Sequence, residues 1–289
     1  MRLASIGNGV IDIAWAADVG PRILRFGFIG GENVFGECPQ AEVRTELGAW
    51  KPYGGHRLWM APERMPDTYA PECEPIEVMR VSDRVVRLRR EIRGVLKEIA
   101  VELRGGSTVS VHHRISNRTP HAIEAAAWAL TILASGGTAL LPQEPHRPHP
   151  DGLLPTRPMA LWPYSDLGDP RWKFGQRFVR LRCDPERPQA LKIGAGNRQG
   201  WLAYYRNGLL FVKRFPFREG AAYPDFGSNC ELFTKGGMIE LESLGPLERL
   251  EPGQAIEHIE TWSLHRLDKL PEPDGALHVA LEPLLRLEP

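Results

Sequence analysis

Apolar and polar residues alternate with a period of two along much of the chain. Over residues 107–117, Val109, Val111, His113 and Ile115 fall on one face, and Thr108, Ser110, His112 and Arg114 on the other. This is the pattern of a half-buried strand. Just before it, Ile99, Val101 and Leu103 alternate with Glu98, Ala100, Glu102 and Arg104, and Gly105-Gly106 joins the two runs as a hairpin. Asn207-Gly208 marks a second hairpin, between 201–205 and 209–214. Further strands are predicted over 9–16, 22–29, 84–92, 190–193 and 256–264. Residues 123–133 include Ala125-Ala126-Ala127, which would suit a helix. Flanking turns at 117–120 and Gly136-Gly137 instead predict a buried strand there.

Two stretches break the alternation. Residues 50–75 and 142–172 are rich in Pro, Gly and charge, and are too long for hairpin loops. On a rigid β scaffold such loops carry binding residues. No internal repeat or linker divides the chain. The expectation is all-β: a large antiparallel two-sheet sandwich with few short helices, one domain over 1–289, with 265–289 as an extension packed on it.

Formal net charge is +0 and the pI is about 7.1, so no global field favours nucleic acid or an anionic membrane. No stretch reaches the roughly 20 apolar residues of a membrane span. Asn8 and Asp12 interrupt any N-terminal apolar segment. Cys38, Cys73, Cys183 and Cys230 are scattered, with no C-x-x-C pair and no His at zinc spacing. They read as reduced thiols in a cytoplasmic protein. His146 and His149 lie among prolines without a third ligand and read as loop polarity. No metal and no cofactor is expected.

The run Ile239-Glu240-Leu241-Glu242 puts two carboxylates on one strand face and two apolar side chains on the other. Side by side they repel, so a compensating partner or a function is expected. Gly54-Gly55-His56-Arg57-Leu58-Trp59 and Tyr223-Pro224-Asp225-Phe226-Gly227-Ser228-Asn229-Cys230-Glu231 mix aromatic, basic and acidic residues. A sugar cleft needs that mixture: a flat apolar face for the ring, and donors and acceptors for hydroxyls. Trp59 and Trp128 offer ring faces, with core packing as the alternative for Trp128. Arg57 and Lys213 offer donors, or are strand-end charge. Asp225 and Glu231 offer acceptors, or stabilise a turn. Glu240 is a binding residue or the ion-paired neighbour of Glu242. His113, on the apolar face of its strand, reads as a hydrogen-bonded core histidine.

Gly20-Pro21-Arg22-Ile23, Gly31-Glu32-Asn33, the Gly54-Gly55 pair and Leu241-Glu242-Ser243-Leu244 together resemble the galactose mutarotase-like superfamily, which contains the aldose 1-epimerases. The resemblance implies a large β-sandwich with a sugar as ligand. It assigns Glu242 the place of the family's catalytic carboxylate. The family's catalytic histidine follows an Asn-x-Thr turn, here Asn117-Arg118-Thr119, and Trp128 stands in its place. His56 is therefore the expected substitute acid. Mutarotation needs a base for the anomeric hydroxyl and an acid for the ring oxygen. The expected function is carbohydrate binding of the aldose 1-epimerase-like type, with anomer interconversion as the reaction if the cleft is catalytic. The alternative is a non-catalytic interaction or scaffold β-sandwich.

Overall fold

The computed structural model describes residues 1–38 and 40–285. Pro39 and residues 286–289, the end of the expected extension, lie outside the described residues. The chain forms two large antiparallel sheets. The first runs in the order Leu3–Gly7, Ile11–Ala16, Arg22–Phe28, His56–Ala61, Ile123–Leu133, Met238–Leu244, Cys230–Lys235, Leu191–Ala195 and Met159–Leu161. The second begins at Trp172–Phe174, passes through Leu209–Arg214, Ala255–Arg266 and Thr108–Asn117, and ends at Glu77–Arg80. Their inner faces meet in one core, where Phe26 and Phe35 of the first layer pack on Phe211 and Trp262 of the second with ring centroids 5.5–6.0 Å apart.

The alternation reads out directly. Val109, Val111, His113 and Ile115 point into the core, and the hairpin at Gly105-Gly106 pairs Leu103 with Val109. Ile123–Leu133 is a central strand, buried on both faces along most of its length, which is why its pattern is a continuous apolar run.

One strand lies where a loop was expected. His56–Ala61 is in the middle of the first sheet, between Arg22–Phe28 and Ile123–Leu133. The residues before it make this possible. Tyr53, Gly54 and Gly55 all have positive φ (53°, 119° and 63°). A Cβ on Gly54 would lie 2.2 Å from the Gly36 carbonyl oxygen, and one on Gly55 would lie 2.1 Å from that of Ile23. Only glycine lets the chain pass this close to two neighbouring backbones and then enter the sheet.

The outer faces of the two sheets differ. The helix Asp274–Leu285 covers that of the second, seating Leu277 and Leu281 among Leu140, Phe178, Trp201, Ala203, Leu210 and Val212. The first is roofed by irregular segments around Trp50, Tyr69 and Trp162, which include the small hairpin Val43–Thr45/Gly48–Trp50 and the short 3-10 helix Asp67–Tyr69. A cleft remains beneath them.

Candidate functional site

Strand register builds the cleft floor. Directly paired residues place Arg57, Leu130, Glu242 and Glu231 in one row across four strands. One step along lies the row Trp59, Trp128 and Leu244. Side chains at i and i+2 share a face, so Arg57 and Trp59, Trp128 and Leu130, and Glu240 and Glu242 all point outward together. The cleft has a volume of about 880 Å³ and is lined by Trp50, Arg57, Trp59, Tyr69, Trp128, Tyr164, Lys192, Glu240 and Glu242, among others. An adjoining lobe of about 380 Å³ shares Glu63, Trp128 and Lys192 with it and adds Trp162 and Asp225.

Two ion-paired groups occupy the floor. Arg57 donates to Glu240 Oε1 at 2.7 Å and lies over the Trp59 ring, 4.3 Å from its centroid. Glu240 is thus the partner of Arg57. Glu242, only 1% exposed, accepts from the Trp128 indole N–H at 2.8 Å and from Lys192 Nζ at 3.2 Å, both through Oε2. Its Oε1 has no donor. Lys192 Nζ also lies 2.6 Å from Glu231 Oε2, between the rings of Trp128 (4.8 Å) and Trp162 (4.5 Å).

Glu231 and Glu242 face each other on paired positions, so two buried carboxylates share one ammonium. Burial, and then Glu242 acting against the pull of Lys192, pushes the Glu231 carboxyl well above the usual range. A proton there removes the excess charge. Burial alone would lower the Lys192 ammonium, but Glu242 and Glu231 outweigh it and hold it above its ordinary value.

His56 and Lys213 lie elsewhere. Expected in the cleft, both are fully buried between the sheets. His56 neighbours Arg57 in an extended strand, so its side chain must point to the opposite face. Lys213 shares the inner face of its strand with Phe211. There they belong to a polar chain whose hydrogen positions follow from its partners. The His258 carbonyl can only accept, so His113 Nδ1 carries a proton (2.9 Å) and His113 Nε2 accepts from His56 Nε2–H (2.7 Å). His56 Nδ1 then accepts from the Thr131 hydroxyl at 2.9 Å. Ser243 donates to Glu260 Oε1, so it accepts from His258 Nε2–H at 2.7 Å. Trp262 Nε1 donates to Glu260 Oε2 at 2.7 Å. Lys213 Nζ lies 2.9 Å from Glu260 Oε1 and donates to the carbonyls of Ala129 and Leu241, both at 3.1 Å.

The nitrogen and oxygen donors of His56, His113 and Glu260 lie within 4.8 Å of one another, a spacing a metal ion can use. Hydrogen bonds account for every one of them. Burial lowers His56 well below the usual imidazole value and lowers His113 to about 4 and His258 to about 3, so the chain is neutral apart from the Lys213–Glu260 pair.

Of the residues singled out in the sequence, Glu242, Glu240, Arg57, Trp59 and Trp128 converge on the cleft floor, Glu231 is wholly buried opposite Glu242 in the same row, and Asp225 reaches the adjoining lobe. Sequence reasoning missed Lys192, Trp50, Tyr69, Trp162 and Tyr164. Lys192 was legible as the single cation alternating with Leu191 and Ile193 in a predicted strand. The four aromatic residues come from the two long, largely irregular stretches, whose return over the sheet leaves no periodic signal.

Among the described residues no helix is long and apolar enough to cross a membrane. No protein-family model matches the sequence, and no curated protein matches it. Solved structures do. A galactose mutarotase-like protein from Lactobacillus casei superposes with a TM-score of 0.61 at 10% identity, covering 91% of this chain and 100% of that one. A galactose mutarotase related enzyme from Lactobacillus acidophilus gives 0.59 at 8%, covering 91% and 97%. An aldose epimerase homologue from C. elegans gives 0.55 at 9%, covering 92% and 99%. At these identities the likeness is one of architecture: the chain has the β-sandwich fold of the galactose mutarotase-like proteins.

Proposed function

We propose that this protein binds an aldose in its pyranose form in the cleft of the first sheet and interconverts its anomers, with Glu242 as the base. The carrying observation is Glu242 itself, a carboxylate held by an indole N–H and an ammonium at the floor of an aromatic cleft, with Oε1 left without a donor. Trp59, Trp128 and Tyr69 supply flat apolar faces for the C–H side of a sugar ring. Carboxylates and fixed cations among them supply acceptors and donors for its hydroxyls. The cleft volume falls in the range of small-molecule sites, about 300–1,000 Å³.

In this reading Glu242 Oε1 takes the proton of the anomeric hydroxyl as the C1–O5 bond opens, and returns it on closure from the other face. The ligand is an uncharged or weakly charged sugar, because Arg57 is already neutralised by Glu240. No nucleic acid or membrane partner is invoked. The four unpaired cysteines suit a reducing cytoplasm, where we place the protein.

The test is saturation-transfer NMR against a panel of aldoses, following the α and β anomeric signals after dissolving a pure anomer. Binding with faster equilibration supports the proposal. Binding at the uncatalysed rate reduces the protein to a sugar receptor, and silence across the panel refutes the reading in favour of an interaction or scaffold role.

A further inference from the structure

Ring opening needs a proton delivered to O5 while Glu242 removes one from O1, and among the described residues no histidine lines the cleft. We propose that Lys192 is that proton donor and that Glu231 is the positioning residue that keeps it loaded. The inference rests on the sugar-binding reading above.

The geometry of Lys192 carries it. Its side chain lines both the cleft and the adjoining lobe, so Nζ stands at their junction. One of its N–H groups donates to Glu242 Oε2, and Glu231 Oε2 is ion-paired with Nζ at 2.6 Å. Among the described residues Nζ has no further oxygen partner, and it lies between two indole rings. The guanidinium and phenol groups of the cleft are less suited. Arg57 is committed to Glu240 and does not deprotonate in proteins. Tyr69 donates its hydroxyl to Glu63. Burial pushes the Tyr164 phenol up to about 12.

Charge explains how an ammonium held by carboxylates can act as an acid. Lys192, Glu231 and Glu242 would total one net negative charge if all were ionised. In a space this buried the group instead retains one proton, on Glu231. The charged groups facing it are Asp225 and Glu63 from the roofing loops, and Arg57 and Glu240, which neutralise each other. At rest Lys192 is stabilised by ionised Glu242. Once Glu242 accepts the O1 proton it is neutral, and Lys192 is left buried without an anion. Burial then favours loss of its proton. Uptake at O1 and delivery at O5 are thereby linked through one oxygen–nitrogen contact of 3.2 Å.

The steps balance. The O1–H proton passes to Glu242 Oε1, and its electron pair forms the C1=O1 double bond. The C1–O5 pair moves onto O5, which takes a proton from Lys192 Nζ. The Glu231 carboxyl returns a proton to Lys192. After rotation about C1–C2, closure runs the same transfers backwards.

The experiment compares wild type, Lys192→Arg, Lys192→Met and Glu231→Gln by polarimetric mutarotation and by sugar affinity, after thermal melts show which variants fold. Arginine keeps the charge but cannot give up a proton, so Lys192→Arg should hold affinity within about threefold while turnover falls about 100-fold or more. Wild-type turnover should decline as rising pH ionises Glu231, and Glu231→Gln should lose that alkaline limb at a lower plateau. The wild-type limb needs no variant to fold. Wild-type turnover in Lys192→Arg, or the same alkaline limb persisting in Glu231→Gln, overturns the assignment while leaving sugar binding intact. No sugar response in the wild type removes the underlying reading instead.

Discussion

Replacing Lys213 by methionine tests whether this lysine is a structural element of the interior. Lys213 and Glu260 are both wholly buried, with Nζ 2.9 Å from Oε1. Methionine fills most of the lysine volume but leaves the Glu260 carboxylate without its cation. Breaking a buried pair by removing one partner costs about 3–5 kcal/mol. Here the lower end applies, because Glu260 keeps the Ser243 hydroxyl and the Trp262 indole as donors. A loss of about 3 kcal/mol lowers the melting temperature of a domain this large by roughly 5 °C.

The loss should also depend on pH. In the wild type, burial pushes Glu260 up, but Lys213, His113 and His258 outweigh it and hold the carboxyl below the usual range. A depressed carboxyl contributes stability that is present above its unfolded value and lost as pH falls through its folded one. Without Lys213, burial prevails and the carboxyl shifts upward. The stability gap between variant and wild type should then be widest near pH 7 and narrow on acidification towards about 4.5. Urea denaturation followed by tryptophan fluorescence at several pH values measures both effects. An unchanged melting temperature, or a gap that widens in acid, would refute the buried-pair argument. Loss of sugar affinity at full stability would return Lys213 to the binding site.

Three further outcomes follow from the same geometry. Glu242→Gln keeps the shape and the indole contact and leaves Glu231 to ionise as the counter-ion of Lys192, so anomer interconversion should fall about 100-fold or more with the melting temperature nearly unchanged; polarimetry beside a thermal melt checks it. His56→Leu breaks the chain from Thr131 to His113 and should cost about 1–3 kcal/mol, read from urea midpoints, with sugar affinity per folded molecule unaltered. The wild type should lose stability as pH falls from about 6.5 towards 4, because unfolded histidine takes up a proton there while buried His113 and His258, held at about 4 and about 3, do not. Urea midpoints that stay level over that interval would count against neutral interior histidines.

The two-sheet architecture was legible because period-two alternation survives wherever one face of a strand is dry and the other wet. Residues 99–117 show it, and so does the split of Ile239 and Leu241 from Glu240 and Glu242. His56–Ala61 was obscured because its boundary signal, a pair of glycines in a Pro-rich stretch, also marks loops. Parity would have corrected the placement of His56: once Arg57 and Trp59 are assigned to one face, their neighbour belongs to the other. The Phe211–Lys213 spacing says the same of Lys213. The roof of the cleft was not legible, since Trp50, Tyr69, Trp162 and Tyr164 meet the floor through tertiary folding of long segments. The pairing of Lys192 with Glu231 and Glu242 likewise depends on which strands become neighbours, and order along the chain does not determine that.

Lys213 grips the carbonyls of Ala129 and Leu241, each one peptide before a residue of the cleft floor, Leu130 and Glu242. The floor is therefore clamped from behind by the opposite sheet. A ligand arriving from the front meets a surface already fixed in shape, and accommodation falls to the overhanging loops. Selectivity among ligands can then drift through substitutions in those loops alone, while the proton-handling groups beneath them keep their spacing.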